Sequence, residues 1–138
     1  MDNELKRELI LDHFNNPINK GLLNDSSYIK EDKSNASCID HFTIELKLED
    51  NIVKDIRFDG EACAIATSSL SIAISKIIGK KKEEALNIIE NYNRMIAHEE
   101  YDSSVLEELN IYEDISKQPA RVNCALLGIN GINDLLKK

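Results

Sequence analysis

The chain has 138 residues, 42% of them hydrophobic, 30% charged and 5% aromatic, with no tryptophan. That is enough for one domain over residues 1–138, with a core drawn mostly from Ile, Leu, Val and Ala. The net charge of −8 and a pI near 4.9 argue against a nucleic-acid partner, which wants a basic face. No apolar run is long enough to span a membrane. The stretch 1–7 lacks a signal-peptide core, so a cytoplasmic location is expected, where thiols stay reduced.

Leu5, Leu9 and His13, with Ile10 and Phe14 beside them, predict an amphipathic helix over 5–14. Pro17 and Gly21 end it, and 15–24 reads as a loop rich in breakers. A short strand is expected over 28–31. Residues 42–48 alternate, with Phe42, Ile44, Leu46 and Leu48 on one face and Thr43, Glu45 and Lys47 on the other. Glu49-Asp50-Asn51 reads as a hairpin turn, and 52–58 as the returning strand with Ile52, Ile56 and Phe58 buried. Gly60 breaks that strand. A helix rich in small residues is expected over 64–78, stopped by Gly79. A second amphipathic helix is expected over 82–96 and a short one over 103–109. Pro119 opens the last helix, which carries Val122, Leu126, Ile129, Ile132 and Leu136. Lys80-Lys81-Lys82 reads as a solvated turn or helix start. The expected class is α+β: a small antiparallel sheet of about three strands packed with helices.

Three cysteines with no secretion signal fit free or metal-bound thiols better than disulfides. Cys38-Ile39-Asp40 puts a soft thiolate and a hard carboxylate on one side of an extended segment. Two thiolates added from elsewhere would make four donors available for one tetrahedral metal. Gly60 precedes Cys63 and Pro119 precedes Cys124, which places both at loop-to-helix junctions, where a helix N-terminus favours a thiolate. The plain alternative is that scattered cysteines are small buried hydrophobes. His13 reads as a packing histidine. His41 points away from Asp40 if the segment is extended, and His98 reads as surface.

These motifs resemble those of iron–sulfur cluster assembly proteins of the NifU/IscU type, nearest to the SufU type. Leu11-Asp12-His13-Phe14-Asn15-Asn16-Pro17 with Gly21 is similar to the family's opening stretch. Asn35-Ala36-Ser37-Cys38-Ile39-Asp40 resembles its first ligand motif. Phe58-Asp59-Gly60-Glu61-Ala62-Cys63-Ala64-Ile65-Ala66 resembles the second, and Pro119-Ala120-Arg121-Val122-Asn123-Cys124-Ala125-Leu126 the third. The segment 93–112 resembles the insertion that separates SufU-type from IscU-type members. Asn123 stands where IscU-type proteins carry His. Ile39 stands where the family usually has Gly, a residue that lets a partner approach closely. Ala62 replaces another Gly and Ala36 a Pro.

The resemblance implies a SufE/NifU-like fold and a zinc site made by Cys38, Asp40, Cys63 and Cys124. It also implies a pyridoxal-phosphate (PLP) cysteine desulfurase as partner, with iron–sulfur assembly proteins downstream. In such a shell Asp40 is the hard donor and the natural one to exchange. Cys38, beside it, is the expected acceptor of sulfane sulfur, kept as thiolate by zinc. Arg121 is the auxiliary candidate, steering a persulfide or pairing with Asp40; the alternative is a surface ion pair worth little. Three readings stay open: a zinc-bound sulfur acceptor of the sulfurtransferase type, a scaffold assembling a [2Fe–2S] cluster on the same ligands with iron in place of zinc, and a zinc-stabilised adaptor without chemistry. A full shell with no nearby general base argues against a hydrolytic zinc enzyme.

Overall fold

The computed structural model describes residues 1–35 and 39–138. Helix α1 (Asn3–Asn15) leads through a long loop into a three-stranded antiparallel sheet. Its strands are β1 (Ile29–Ser34), β2 (His41–Glu49) and β3 (Ile52–Asp59), in that spatial order. Helices α2 (Ala64–Ile77) and α3 (Lys82–Ile96) follow, then two 3-10 segments, Ser103–Val105 and Glu107–Lys117, and finally α4 (Pro119–Leu136). The α+β expectation holds. No helix among the described residues is long and apolar enough to cross a membrane.

Local chemistry sets the element ends. Asp2 caps α1, its carboxylate accepting from the Leu5 N–H at 2.8 Å. Asp50 and Asn51 take φ of 54° and 63°. Two positive φ angles in a two-residue loop give the type I′ turn, whose twist suits an antiparallel pair. Lys81, within the basic run, caps α3, and Glu84 accepts from its N–H at 3.2 Å. The run is a helix start, as read from the sequence.

Three expectations fail in the fold, for identifiable reasons. Lys47 faces Asp55, but Leu48 faces Val53, so Lys54 is an extra residue in β3. Such a bulge re-aims the side chains beyond it. Val53 is therefore in the core, Ile52 is only half-buried, and Leu48 is 38% exposed. Second, the short helix expected over 103–109 is replaced by the two 3-10 segments. Glu107 has φ 47°, and a right-handed helix cannot run through a left-handed residue. Beyond it Leu109, Tyr112 and Ile115 are buried at a spacing of three, the period of a 3-10 helix.

The core joins Phe42, Ile44 and Leu46 of β2 and Val53, Ile56 and Phe58 of β3 to Leu70, Ile74, Ile129 and Ile132 of the helices. α2 is the central helix, packed by α1 and α4, and its small residues Ala66, Ser68, Ser69, Ser71 and Ala73 are all buried. The buried hydroxyls are satisfied locally. Ser69 donates to the Ala66 carbonyl at 3.1 Å, Ser68 meets the Tyr112 hydroxyl, and Ser71 accepts from the Ile18 N–H at 2.9 Å. α4 lies tight on both α2 and the sheet. A Cβ on Gly128 would meet Leu70 Cβ at 2.7 Å, and one on Gly131 would meet Ile44 Cδ1 at 2.5 Å.

The loop between α1 and β1 crosses the sheet. Lys20 bridges to Phe58, which pairs part of the β3 edge. The Leu23 and Asn24 N–H groups donate to the Glu45 carboxylate. Glu45, expected on the outer face, is thus fully buried.

Candidate metal centre

Gly60 starts the construction. Its φ is +127°, and a Cβ there would sit 2.1 Å from the His41 carbonyl oxygen. Only glycine has both the backbone freedom and the room. The chain leaving β3 therefore passes directly over the start of β2, and the His41 N–H donates to the Glu61 carbonyl at 3.0 Å. That crossing brings Asp40, just before β2, to Cys63, just before α2. The Cys63 N–H donates to Asp40 Oδ1 at 2.9 Å. Cys63 is the N-cap of α2, with φ −67° and ψ 170°, and its sulfur accepts from the Ala66 N–H at 3.4 Å.

Cys124 arrives on α4, which the two glycines let down onto α2 and the sheet. The ligand atoms of Asp40, Cys63 and Cys124 all lie within 4.8 Å of one another. Asp40 is 3% exposed, Cys124 half-buried and Cys63 exposed, so the carboxylate forms the floor and a thiol the rim. Asn35, after β1, ties the group together. Its N–H donates to the Asp40 carbonyl at 3.1 Å, and its Nδ2 lies 4.0 Å from Cys124 Sγ.

Burial first, then the neighbouring Cys63 and Asp40, pushes the Cys124 thiol up to about 12. A divalent cation inverts that balance, because it favours the thiolate. The donor set fits such an ion. Tetrahedral zinc with Zn–S near ~2.3 Å holds its sulfurs roughly 3.8 Å apart. Ligand atoms within 4.8 Å of one another stand no more than about 1 Å beyond that spacing, and thiolates with a carboxylate suit zinc or iron.

The structure thus brings together three of the four sequence-predicted ligands: Asp40, Cys63 and Cys124. The fourth, Cys38, lies outside the described residues. Its neighbour Ile39 is 91% exposed. Arg121 is exposed on the first turn of α4 and has no ion pair among the described residues. Cys124 lies in the second turn of α4, beyond the reach of the helix terminus, so the expected N-terminal setting applies to Cys63 alone. The histidines are engaged elsewhere. His13 Nδ1 is 2.8 Å from Ser71 Oγ, His41 Nδ1 is 2.9 Å from Ser34 Oγ, and His98 is exposed. Sequence reasoning assigned no role to Asn35. Its signal was its place in the first motif, but an amide carries no metal-ligand signature.

Fold and site together define a small α+β protein with a candidate metal centre of two thiols and a carboxylate, assembled from three separate segments. The chain belongs to the NifU-like N terminal domain family, whose model matches residues 5–125. It is similar to the iron–sulfur cluster assembly scaffold protein IscU of Thermotoga maritima, at 39% identity over 131 residues, covering 95% of this chain and 92% of that protein. It is 40% identical over 124 residues to the zinc-dependent sulfurtransferase SufU of Bacillus subtilis, covering 89% of this chain and 83% of that one. A crystal structure from Fervidobacterium islandicum, described as an iron–sulfur cluster assembly scaffold protein for the SUF system, superposes with a TM-score of 0.85. It is 30% identical and covers 98% of this chain and 99% of that one.

Proposed function

We propose that this chain, acting as one unit over residues 1–138 in the cytoplasm, is a zinc-bound sulfur acceptor of the sulfurtransferase type in iron–sulfur cluster biogenesis. The observation that carries the reading is the convergence of Asp40, Cys63 and Cys124 within 4.8 Å. The likeness to a protein named as a zinc-dependent sulfurtransferase supports it. Cys38, Asp40, Cys63 and Cys124 are the four ligands. Bound zinc supplies the divalent charge that keeps the thiols deprotonated. Cys63 anchors the site to the start of α2 and Cys124 to the second turn of α4, and Asp40 holds Cys63 in place through its N–H.

Cys38 is the acceptor. Its thiolate attacks the outer sulfur of a persulfide on the donor. A new S–S bond forms on Cys38, the donor's S–S bond breaks, and the donor cysteine leaves as a thiolate. No electrons are gained or lost overall. The thiolate is the reactive form of cysteine. The donor is a PLP-dependent cysteine desulfurase, and downstream iron–sulfur assembly proteins receive the sulfur. Arg121, exposed within the third motif, steers the anionic persulfide.

Two measurements test this. The purified protein should carry about one zinc per chain, and it should raise desulfurase turnover. A folded protein with neither property contradicts the reading. The scaffold reading has its own support in the relative named IscU. A stable [2Fe–2S] spectrum after anaerobic reconstitution with iron and sulfide, without stimulation of the desulfurase, would favour it. Zinc with no effect on the desulfurase and no cluster would leave the adaptor reading.

A further inference from the structure

Two thiolates and a carboxylate carry one more negative charge than a divalent ion supplies. Inside a protein that excess calls for hydrogen-bond donors around the ligands. Each of the three described ligands has an N–H directed at it. The Cys63 N–H donates to Asp40 Oδ1 at 2.9 Å, the Ala66 N–H donates to Cys63 Sγ at 3.4 Å, and Asn35 Nδ2 stands 4.0 Å from Cys124 Sγ. The first two donors are main chain and come with the start of α2. Cys124 lies in the second turn of α4, where the helix N–H groups are already bonded within the helix. Its donor is a side chain 89 residues away.

We propose that Asn35 is a positioning residue of the metal centre: its amide donates to the metal-bound Cys124 thiolate and makes that sulfur the less reactive of Cys63 and Cys124. This rests on the metal-binding part of the reading above. The Asn35 N–H donates to the Asp40 carbonyl at 3.1 Å, which holds the residue beside the ligands whatever its side chain is. At 9% exposure its amide is largely withheld from water, and a buried donor gains most from a charged acceptor. A thiol is a weak acceptor and a thiolate a strong one, so the sulfur draws the amide closer once an ion has deprotonated it. An N–H on the sulfur holds electron density that an attack on an electrophile would use. Cys124 therefore binds the ion and stays out of the sulfur chemistry, while Cys63, exposed on the rim, does not share that protection. A purely structural role at position 35 is met by the main-chain bond, which survives every substitution except proline.

The test uses the zinc-loaded protein at one pH. Bound zinc keeps both thiols deprotonated, so reactivity reports the sulfurs and not their protons. Early alkylation of Cys124 by iodoacetamide is read by mass spectrometry, with Cys63 as internal reference. In Asn35→Ala the ratio of Cys124 to Cys63 alkylation should rise about tenfold. Asn35→Gln, whose longer amide still spans the 4.0 Å gap, should stay within about threefold of wild type. In the cobalt-substituted protein the thiolate-to-metal absorption band should move to longer wavelength in Asn35→Ala and stay in place in Asn35→Gln. An unmoved band in Asn35→Ala overturns the role of Asn35, because a raised ratio alone then means only an opened path to the sulfur. An unchanged ratio in a variant that still holds zinc overturns it too, and leaves the metal centre standing. A wild-type protein that binds neither zinc nor cobalt overturns the centre and this role together. If Asn35→Ala does not fold, the wild type decides. One Asn35 side-chain amide proton should move downfield by nuclear magnetic resonance when zinc is loaded, and a proton that does not move overturns the proposal.

Discussion

An alanine at Gly60 would carry its Cβ to 2.1 Å from the His41 carbonyl oxygen, at a φ of +127°. Backbone cannot yield there without separating β3 from the start of β2. Gly60→Ala should cost at least about 3 kcal/mol, read by urea unfolding, and should weaken zinc retention because the same crossing places Asp40 against Cys63. Asp40→Ala removes the acceptor of the Cys63 N–H. It should cost about 1–3 kcal/mol even in the metal-free protein; a metal-free variant as stable as wild type would show that the carboxylate only binds metal. The Cys124 thiol, pushed up to about 12 mainly by burial, makes a pH prediction. The metal-free folded state keeps this proton at a pH where the unfolded chain, nearer the usual 9, has lost it. That contribution is complete below about pH 9 and fades as pH rises toward about 12, so metal-free stability should fall over that window. Metal binding needs the thiolate and should tighten as pH rises. Cys63, Cys124 and Asp40 were legible as ligand candidates from residue type and flanking breakers. The environment of Cys124 was not, because it depends on how far along α4 the thiol falls.

Helix α4 shows what an element contributes. Gly131→Ala gains helix propensity of about 1 kcal/mol, yet its Cβ would meet Ile44 Cδ1 at 2.5 Å and Lys33 Cγ at 2.9 Å. Lys33 can shift; the buried Ile44 cannot without disturbing the core. The net effect should be a loss of about 1–3 kcal/mol. α4 would also rise from the sheet and carry Cys124 away from Asp40, so zinc affinity, measured against a competing chelator, should fall with stability. Stabilisation by Gly131→Ala would contradict the close packing. Among the elements, α3 was read from periodicity at its observed bounds, and α2 within a residue. The strands were legible until the bulge at Lys54, because a one-residue slip reverses which side chain is buried. The burial of Glu45 was not legible either. It depends on two N–H groups, of Leu23 and Asn24, brought by a loop from elsewhere in the chain. The 3-10 segment from Glu107 was hidden because a positive φ at a glutamate has no compositional signal.

Across the whole molecule the centre joins the start of β2, the start of α2 and the second turn of α4. These meet only in the folded chain, so binding free energy becomes folding free energy. At free zinc a thousandfold above the dissociation constant the gain is about 4 kcal/mol, and excess chelator should lower the melting temperature clearly. An unchanged transition would mean that the fold does not depend on the ion. The overall class was legible because the strand patterns run together over 29–59 and the main helical patterns follow them. The convergence of ligands so far apart was implied only by the family resemblance, since sequence spacing carries no distance.

The most direct test of the central claim is to mix the protein with a cysteine desulfurase and cysteine, trap the thiols and locate the added sulfur by mass spectrometry. The account predicts one extra sulfur on Cys38, its absence in Cys38→Ser, and zinc still bound in the wild type. Extra sulfur on Cys124 with Cys38 unmodified, or no added sulfur on any cysteine, would contradict it.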